Sequence, residues 1–165
     1  YLRLDKTVAK DCFSEDPFVI GKSRRYKEGK DITLIATGSI LGDANIASVE
    51  LKKLGIDARV VGMHSIKPID VDEIIDAATN TGGIVTIEEH NKDGGLGSAI
   101  SEVCMDFGVM PNKFLRIGLD NKYSSIVGSQ SYLRSRYEMD SKAIINKVKK
   151  IFNSWKGLLF KRWFS

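Results

Sequence analysis

The chain has 165 residues, 42% of them apolar and 28% charged, with two cysteines and a formal net charge of +4. That length suits one domain, the composition excludes a disordered chain, and no apolar run approaches the roughly 20 residues of a membrane-spanning helix. The charge is unevenly placed: residues 141–165 hold seven basic and no acidic side chains, leaving 18 basic against 21 acidic in the body, so no nucleic-acid surface is expected on the domain itself.

Residues 1–5 alternate apolar and polar and predict a half-buried strand, followed by an irregular stretch through Pro17. A strand at the first residue, in a chain that opens on Tyr1, reads as the end of an element that belongs to something longer. Residues 18–26 and 32–36 predict two strands, and the short link Glu28-Gly29-Lys30-Asp31 makes them an antiparallel pair. A helix is expected over residues 43–54, with Ala44, Ala47, Val49, Leu51 and Leu54 as its apolar positions and Gly55 as its stop. Residues 58–63 predict a strand, and residues 70–79 a helix led by Pro68 and capped by Asp70.

Gly82-Gly83 then marks a turn before the β-branched run Ile84-Val85-Thr86-Ile87, a polar crossing from Glu88 to Asp93, Gly94-Gly95-Leu96-Gly97, and a helix from Ser98. A strand at 113–117 and helices at 129–137 and 140–152 complete the pattern. Strand–helix units in this rhythm predict an α/β fold: a three-layer α/β/α arrangement around a mostly parallel sheet with one antiparallel edge strand. Cys12 and Cys104 lack metal-ligand spacing, which suits a reduced, cytoplasmic setting.

The stretch from Glu88 to Ser98 draws the functional reading, because ligands of open α/β sheets sit at the carboxyl ends of strands. Gly94, Gly95 and Gly97 could bring backbone N–H groups to an anion at a helix N-terminus, or could simply allow a tight turn and close packing. The dinucleotide fingerprint is not met, since Ile100 stands where its third glycine or alanine belongs. Gly38-Ser39-Ile40-Leu41-Gly42 lacks the ending of a phosphate loop and the pattern of a nucleophile elbow. Glu88, Glu89 and His90 could serve acid–base work or form a polar loop at an interface, and His64 is expected on the same rim. Arg116, Lys122, Arg134 and Arg136 are read as a solvated face. In the tail, Ile144, Ile145, Val148, Ile151, Phe152, Trp155, Leu158 and Leu159 form a helical stripe, interrupted at Gly157, that suits docking on the sheet or a neighbouring domain. Contact of the basic, aromatic end with a membrane surface or partner is the second reading.

Taken together, the stretches Glu28–Gly38, Met63-His64-Ser65-Ile66-Lys67-Pro68-Ile69-Asp70, Glu88-Glu89-His90, Gly94-Gly95-Leu96-Gly97-Ser98-Ala99, Arg116-Ile117-Gly118-Leu119 and Gly128-Ser129-Gln130 resemble the C-terminal domain of the transketolase family. The likeness is strongest to separate C-terminal subunits of split transketolases. Deoxyxylulose-phosphate synthases and beta subunits of 2-oxo acid dehydrogenases share the domain type and stand as alternatives, with a non-enzymatic anion-binding or interaction module as a further one.

The resemblance implies residues 1–17 as the end of a preceding domain and linker, 18–153 as the α/β domain and 154–165 as a basic, aromatic tail. It implies a transferase that moves a two-carbon ketol unit between sugar phosphates with thiamine diphosphate and magnesium. The cofactor would be held elsewhere, because the family's magnesium-diphosphate motif begins Gly-Asp-Gly and here the only Gly-Asp, Gly42-Asp43, runs into Ala44. The chain alone is expected to be inactive and to bind no cofactor or metal. Its work would be assembly with other transketolase domains or subunits, as a homodimer, with His64, Lys67, Glu88, Glu89, His90, Gly94, Gly95, Gly97 and Ser98 as rim or interface residues and none of them catalytic.

Overall fold

The computed structural model describes residues 1–2, 17–121, 123 and 125–162, with side chains as far as Phe152. Strands and helices alternate as β1 (Arg24–Lys27), β2 (Ile32–Thr37), α1 (Leu41–Lys53), β3 (Ala58–Gly62), α2 (Val71–Asn80), β4 (Ile84–Asn91), α3 (Leu96–Asp106), β5 (Phe114–Leu119), α4 (Gln130–Arg136) and α5 (Ser141–Arg162). The sheet order is β1-β3-β2-β4-β5. β2 runs parallel to both β3 and β4, β4 parallel to β5, and β1 antiparallel to β3.

Burial on both faces explains why the central strands are mostly apolar rather than alternating. Leu34 and Ala36 of β2 join Val60, Val85 and Ile87 in a core covered by Ala44, Ala47 and Leu51 of α1 and by Ile144 and Val148 of α5. On the opposite face, Ile35, Val61 and Ile84 pack against Ile74 and Ala77 of α2 and Leu96, Ile100 and Val103 of α3. The result is the three-layer α/β/α arrangement expected.

Several expectations need correction. β1 and β2 are not a hairpin, because β3 lies between them. The link after Lys27 passes over the start of β3 so tightly that a Cβ on Gly29 would collide with the backbone of Ala58 and Arg59. A four-residue link can therefore cross one strand as well as join two neighbours. The first strand is also shorter than residues 18–26, since a turn closed by Lys22 N–H donating to Val19 O (3.1 Å), with Gly21 at φ +84°, breaks the extended run. Tyr1 and Leu2 belong to no strand, and the rest of that expected element lies outside the described residues. On α1 the buried stripe is Ala44, Ala47, Ser48 and Leu51, whereas Val49 and Leu54 face solvent. α5 continues through Gly157 to Arg162 without interruption. Helical neighbours on both sides of a single glycine carry the cost of about 1 kcal/mol it imposes.

Asp70 shows how a cap can fasten more than its own helix. Its carboxylate accepts from Glu73 N at the start of α2, from Ser23 N (2.7 Å) and Ser23 Oγ (2.9 Å), and pairs with Lys22. Burial works against the charge, but these donors outweigh it and hold the carboxyl below the usual range. A depressed folded value means that the stabilisation is present above the ordinary aspartate pKa and lost as pH falls through the folded one. Asp70→Ala is expected to cost about 2 kcal/mol near neutral pH, the sum of a lost cap and two lost long-range bonds. Urea titrations of both forms at neutral and strongly acidic pH check this; a pH-independent gap would show that the charge is not involved.

Candidate functional site

The chain leaves β2 toward β3 on one side and leaves β4 toward β5 on the other, so the strand order reverses between β2 and β4. In doubly wound sheets that reversal opens a crevice at the carboxyl ends, the usual seat of a ligand. Thr37-Gly38-Ser39 forms one lip and Glu88-Glu89-His90 the other, because β4 extends to Asn91 rather than ending at Ile87.

Glu88 turns inward and is almost wholly buried. Its two oxygens accept from Leu96 N (2.7 Å) and Gly97 N (2.9 Å), the first free amides of α3. The glycine loop is thus an anion cradle, as its sequence suggests, and the anion is the protein's own carboxylate. A Cβ on Gly95 would overlap Glu88 Oε2, and one on Gly97 would lie 2.7 Å from Thr86 Oγ1 and from Arg116 Cδ. Gly94 takes φ +74° at the turn. Ser98 secures the loop: its hydroxyl donates to Lys92 O (2.9 Å) and accepts from Gly94 N (3.1 Å) and Arg116 Nη1 (3.3 Å).

Glu89 points to the crevice and meets Arg134 of α4. The guanidinium donates through Nε to Glu89 Oε1 (2.8 Å) and through Nη2 to Glu89 Oε2 (2.6 Å) and Ser39 Oγ (2.7 Å), while Nη1 reaches Asp43 Oδ2 (2.8 Å). Gln130 Nε2 adds a bond to Glu89 Oε2 at 3.1 Å. Arg134 is 7% exposed, which overturns its assignment to a solvated face. Burial opposes its charge, and Glu89 and Asp43 outweigh that penalty, so it stays protonated. A lone arginine 45 residues from one partner and 91 from the other carries no local sequence signal.

The two histidines share the carboxyl-end rim but not a partner, since β2 stands between their strands. His64 Nε2 bonds Val19 O (3.1 Å) and its ring meets Phe18 edge-on at 4.7 Å, whereas His90 Nδ1 bonds the neighbouring Asn91 O (3.0 Å). Lys67 is exposed beside His64. A second polar cluster, outside this rim, ties α2 to β1 and its neighbour β3: Arg25 donates to Glu73 (2.7 Å) and to Asp76 (2.5 Å), and Arg59 donates to Asp76 (2.5 Å). Burial pushes the Glu73 carboxyl up against the opposing pull of Arg25 and Arg59. Its charges are paired with one another, as in a structural joint. Among the described residues no group of three or more His, Cys, Asp or Glu side chains is arranged to hold a metal.

The family model for "Transketolase, C-terminal domain" matches residues 21–144. The chain belongs to this family. It is 36% identical over 146 residues to an apulose-4-phosphate transketolase subunit of Phocaeicola vulgatus, covering 87% of this chain and 46% of that protein. It is 33% identical over 144 residues to the 1-deoxy-D-xylulose-5-phosphate synthase of Syntrophotalea carbinolica, covering 87% of this chain and 22% of that protein. Among solved structures, a split-gene transketolase described as an inactive beta4 tetramer superposes with a TM-score of 0.78 at 34% identity, covering 86% of this chain and 46% of that one. The chain thus spans less than half the length of these relatives.

In this transketolase C-terminal domain the stretch from Met63 to Asp70 has a visible task. His64 holds Val19, Ser65 Oγ accepts from Gly21 N (3.0 Å), Ile66 bridges to Ile69, and Asp70 holds Ser23. Together they clasp the segment that enters β1. The Gly42-Asp43 pair also has a structural use here, because Asp43 is buried against Arg134.

Proposed function

We propose that the chain serves as the C-terminal domain of a thiamine-diphosphate-dependent, transketolase-like transferase that moves a two-carbon ketol unit between sugar phosphates. In this reading the domain supplies assembly surface and a rim near the substrate, and the cofactor and magnesium are held by other domains or subunits. One observation carries it: the glycine cradle that opens α3 at the sheet's carboxyl end, which would suit a diphosphate, is filled by Glu88, whose carboxylate takes the amides of Leu96 and Gly97. A second anion there would meet a buried like charge. These residues do not fit the cofactor, and no step of the transfer runs through them.

The rim itself suits assembly. Phe18, Val19, Ile20 and Ile66 are exposed beside His64 and Lys67, an apolar patch of the kind that marks a protein interface. His64, Lys67, His90 and the Gly94–Ser98 turn are proposed to face neighbouring domains, with Glu88 and Glu89 holding the loops that present them. A homodimer of the complete enzyme follows from the same reading, and a cytoplasmic setting is consistent with it. No helix among the described residues is long and apolar enough to cross a membrane.

Calorimetric titration of the chain with thiamine diphosphate and magnesium tests the cofactor side. No binding is expected up to about 1 mM, where the binding free energy is only about −4 kcal/mol; micromolar affinity would refute the assignment. Mixing the chain with a polypeptide carrying the diphosphate- and pyrimidine-binding domains of a transketolase tests the assembly side, with complex formation by sedimentation and ketol transfer as readouts.

A further inference from the structure

We infer that α4 is a lid, latched by polar bonds across the mouth of the crevice at the sheet's reversal point, which opens while the rest of the domain stays folded. Gln130 and Arg134 stand one turn apart on the same face of the helix, and each reaches both lips. Gln130 Nε2 donates to Ser39 Oγ (3.3 Å) on one lip and to Glu89 Oε2 (3.1 Å) on the other. Arg134 donates to the same two residues, and its Nη1 reaches past them to Asp43 in the first turn of α1. The helix thus spans the gap between the ends of β2 and β4 as a strap.

Apolar faces hold the three helices that precede it. Ala44, Ala47 and Leu51 are buried on α1, Ile74, Ala77 and Ala78 on α2, and Leu96, Ile100 and Val103 on α3. Of the seven residues of α4 only Arg134 is buried. Leu133 is half-buried and Tyr132 is 47% exposed. A helix of two turns has little stability of its own, since most helical stability in a protein comes from packing an apolar face. On α4 the bonds of one arginine and one glutamine take that place. Charged groups that part at a surface regain water, which offsets the cost of separating them, whereas an apolar face has no such compensation. Few buried apolar contacts mark the segments of a protein that open locally.

The chain on either side suits that motion. Ser125, Val127, Gly128 and Ser129 ahead of α4 are exposed, and behind it Met139 is buried in the core and pins the chain where α5 begins. α4 can therefore leave on its exposed side and stay tethered on the other. Opening uncovers Ser39, Glu89 and Asp43 at the place where open α/β sheets hold their ligands. A ligand enters the crevice only when this lid lifts. The lid is independent of the assembly role, and either can fail without the other.

Native-state hydrogen exchange of the full chain, followed at single amides over a series of low urea concentrations, tests the lid. The amides of Leu133 and Tyr137 bond to Ser129 O and Leu133 O and report on α4. Corrected for intrinsic rates, they are expected to exchange about a hundred-fold faster than those of Leu34 in β2 and Ile87 in β4. Their exchange should hardly depend on urea, because local opening exposes little surface and the denaturant slope follows the surface exposed. Arg134→Ala should speed exchange of the α4 amides by about a further hundred-fold, as loss of one partner of a buried ion pair implies. Leu133→Ala trims a side chain that is already half in water and should speed it about ten-fold or less.

α4 amides that share the urea slope of β2 and β4 would overturn the lid, because the helix would then open only with the whole domain. An effect of Leu133→Ala equal to that of Arg134→Ala would overturn the latch, since apolar packing would then be what holds α4. The urea series on the parent chain decides the first point even if a variant fails to fold.

Discussion

Arg134→Ala is expected to destabilise the domain by about 3 kcal/mol, the lower end of the range for removing one partner of a buried ion pair. The lower end applies because Glu89 keeps a quarter of its side chain in water, while Asp43 and Arg134 are almost dry. Without the guanidinium, two carboxylates face each other across the reversal point of the sheet, and Ser39 and Gln130 lose their common partner. The urea midpoint should fall with an unchanged slope, and the thermal midpoint by about 6–12 °C for a chain of this size. Arg134→Lys keeps the charge without the planar fork and should recover only part of the loss. A cost below about 1 kcal/mol, the range of exposed pairs, would mean that water screens this cluster and that the crevice is open.

The second large effect belongs to the glycine loop, where Glu88 and Gly95 form a testable couple. Glu88→Ala strips α3 of the acceptor for two terminal amides and leaves a small void, for a combined loss of about 3 kcal/mol. Gly95→Ala is expected to cost about 2 kcal/mol by overpacking, since the added methyl overlaps the Glu88 carboxylate. The backbone of Gly95 is at φ −91°, open to any residue, so this cost is steric. It should shrink markedly when Glu88 is already alanine, with only the crowding against Asn91 O at 2.7 Å remaining. The double-mutant cycle measures that coupling. Strict additivity would show that the carboxylate is not what forbids a side chain there.

Periodicity was enough to read most of the architecture from the chain. The apolar runs of β2, β3 and β4 announced a sheet buried on both faces, and Asp70 announced the helix it caps. Strand order was not legible in the same way. The link from Lys27 to Ile32 has the length of a hairpin, and only the steric demand at Gly29, which depends on β3, reveals a crossing. The glycine loop was half legible: its amides do bind an anion, but that the anion is Glu88 follows from a side chain turning back on its own loop. Arg134 was misread because charge alone suggests a surface, and its burial depends on α4 folding over the ends of two strands far earlier in sequence. The motif Met63–Asp70 was recognised by resemblance, and its clasp on the entering chain emerged only from the hydrogen bonds.

α5 begins near the carboxyl-end rim and passes Ile32, Gly82 and Lys113 at the amino ends of the strands, where Ile151 and Phe152 line a shallow groove with them. The rim and the end of this helix therefore lie at opposite poles of the sheet, separated by the length of a strand, about 20 Å. Contacts at one pole leave the other sterically free. Two contacts made at the two poles would be held about a strand's length apart, so that once one forms the other becomes intramolecular and is governed by local concentration rather than by bulk affinity.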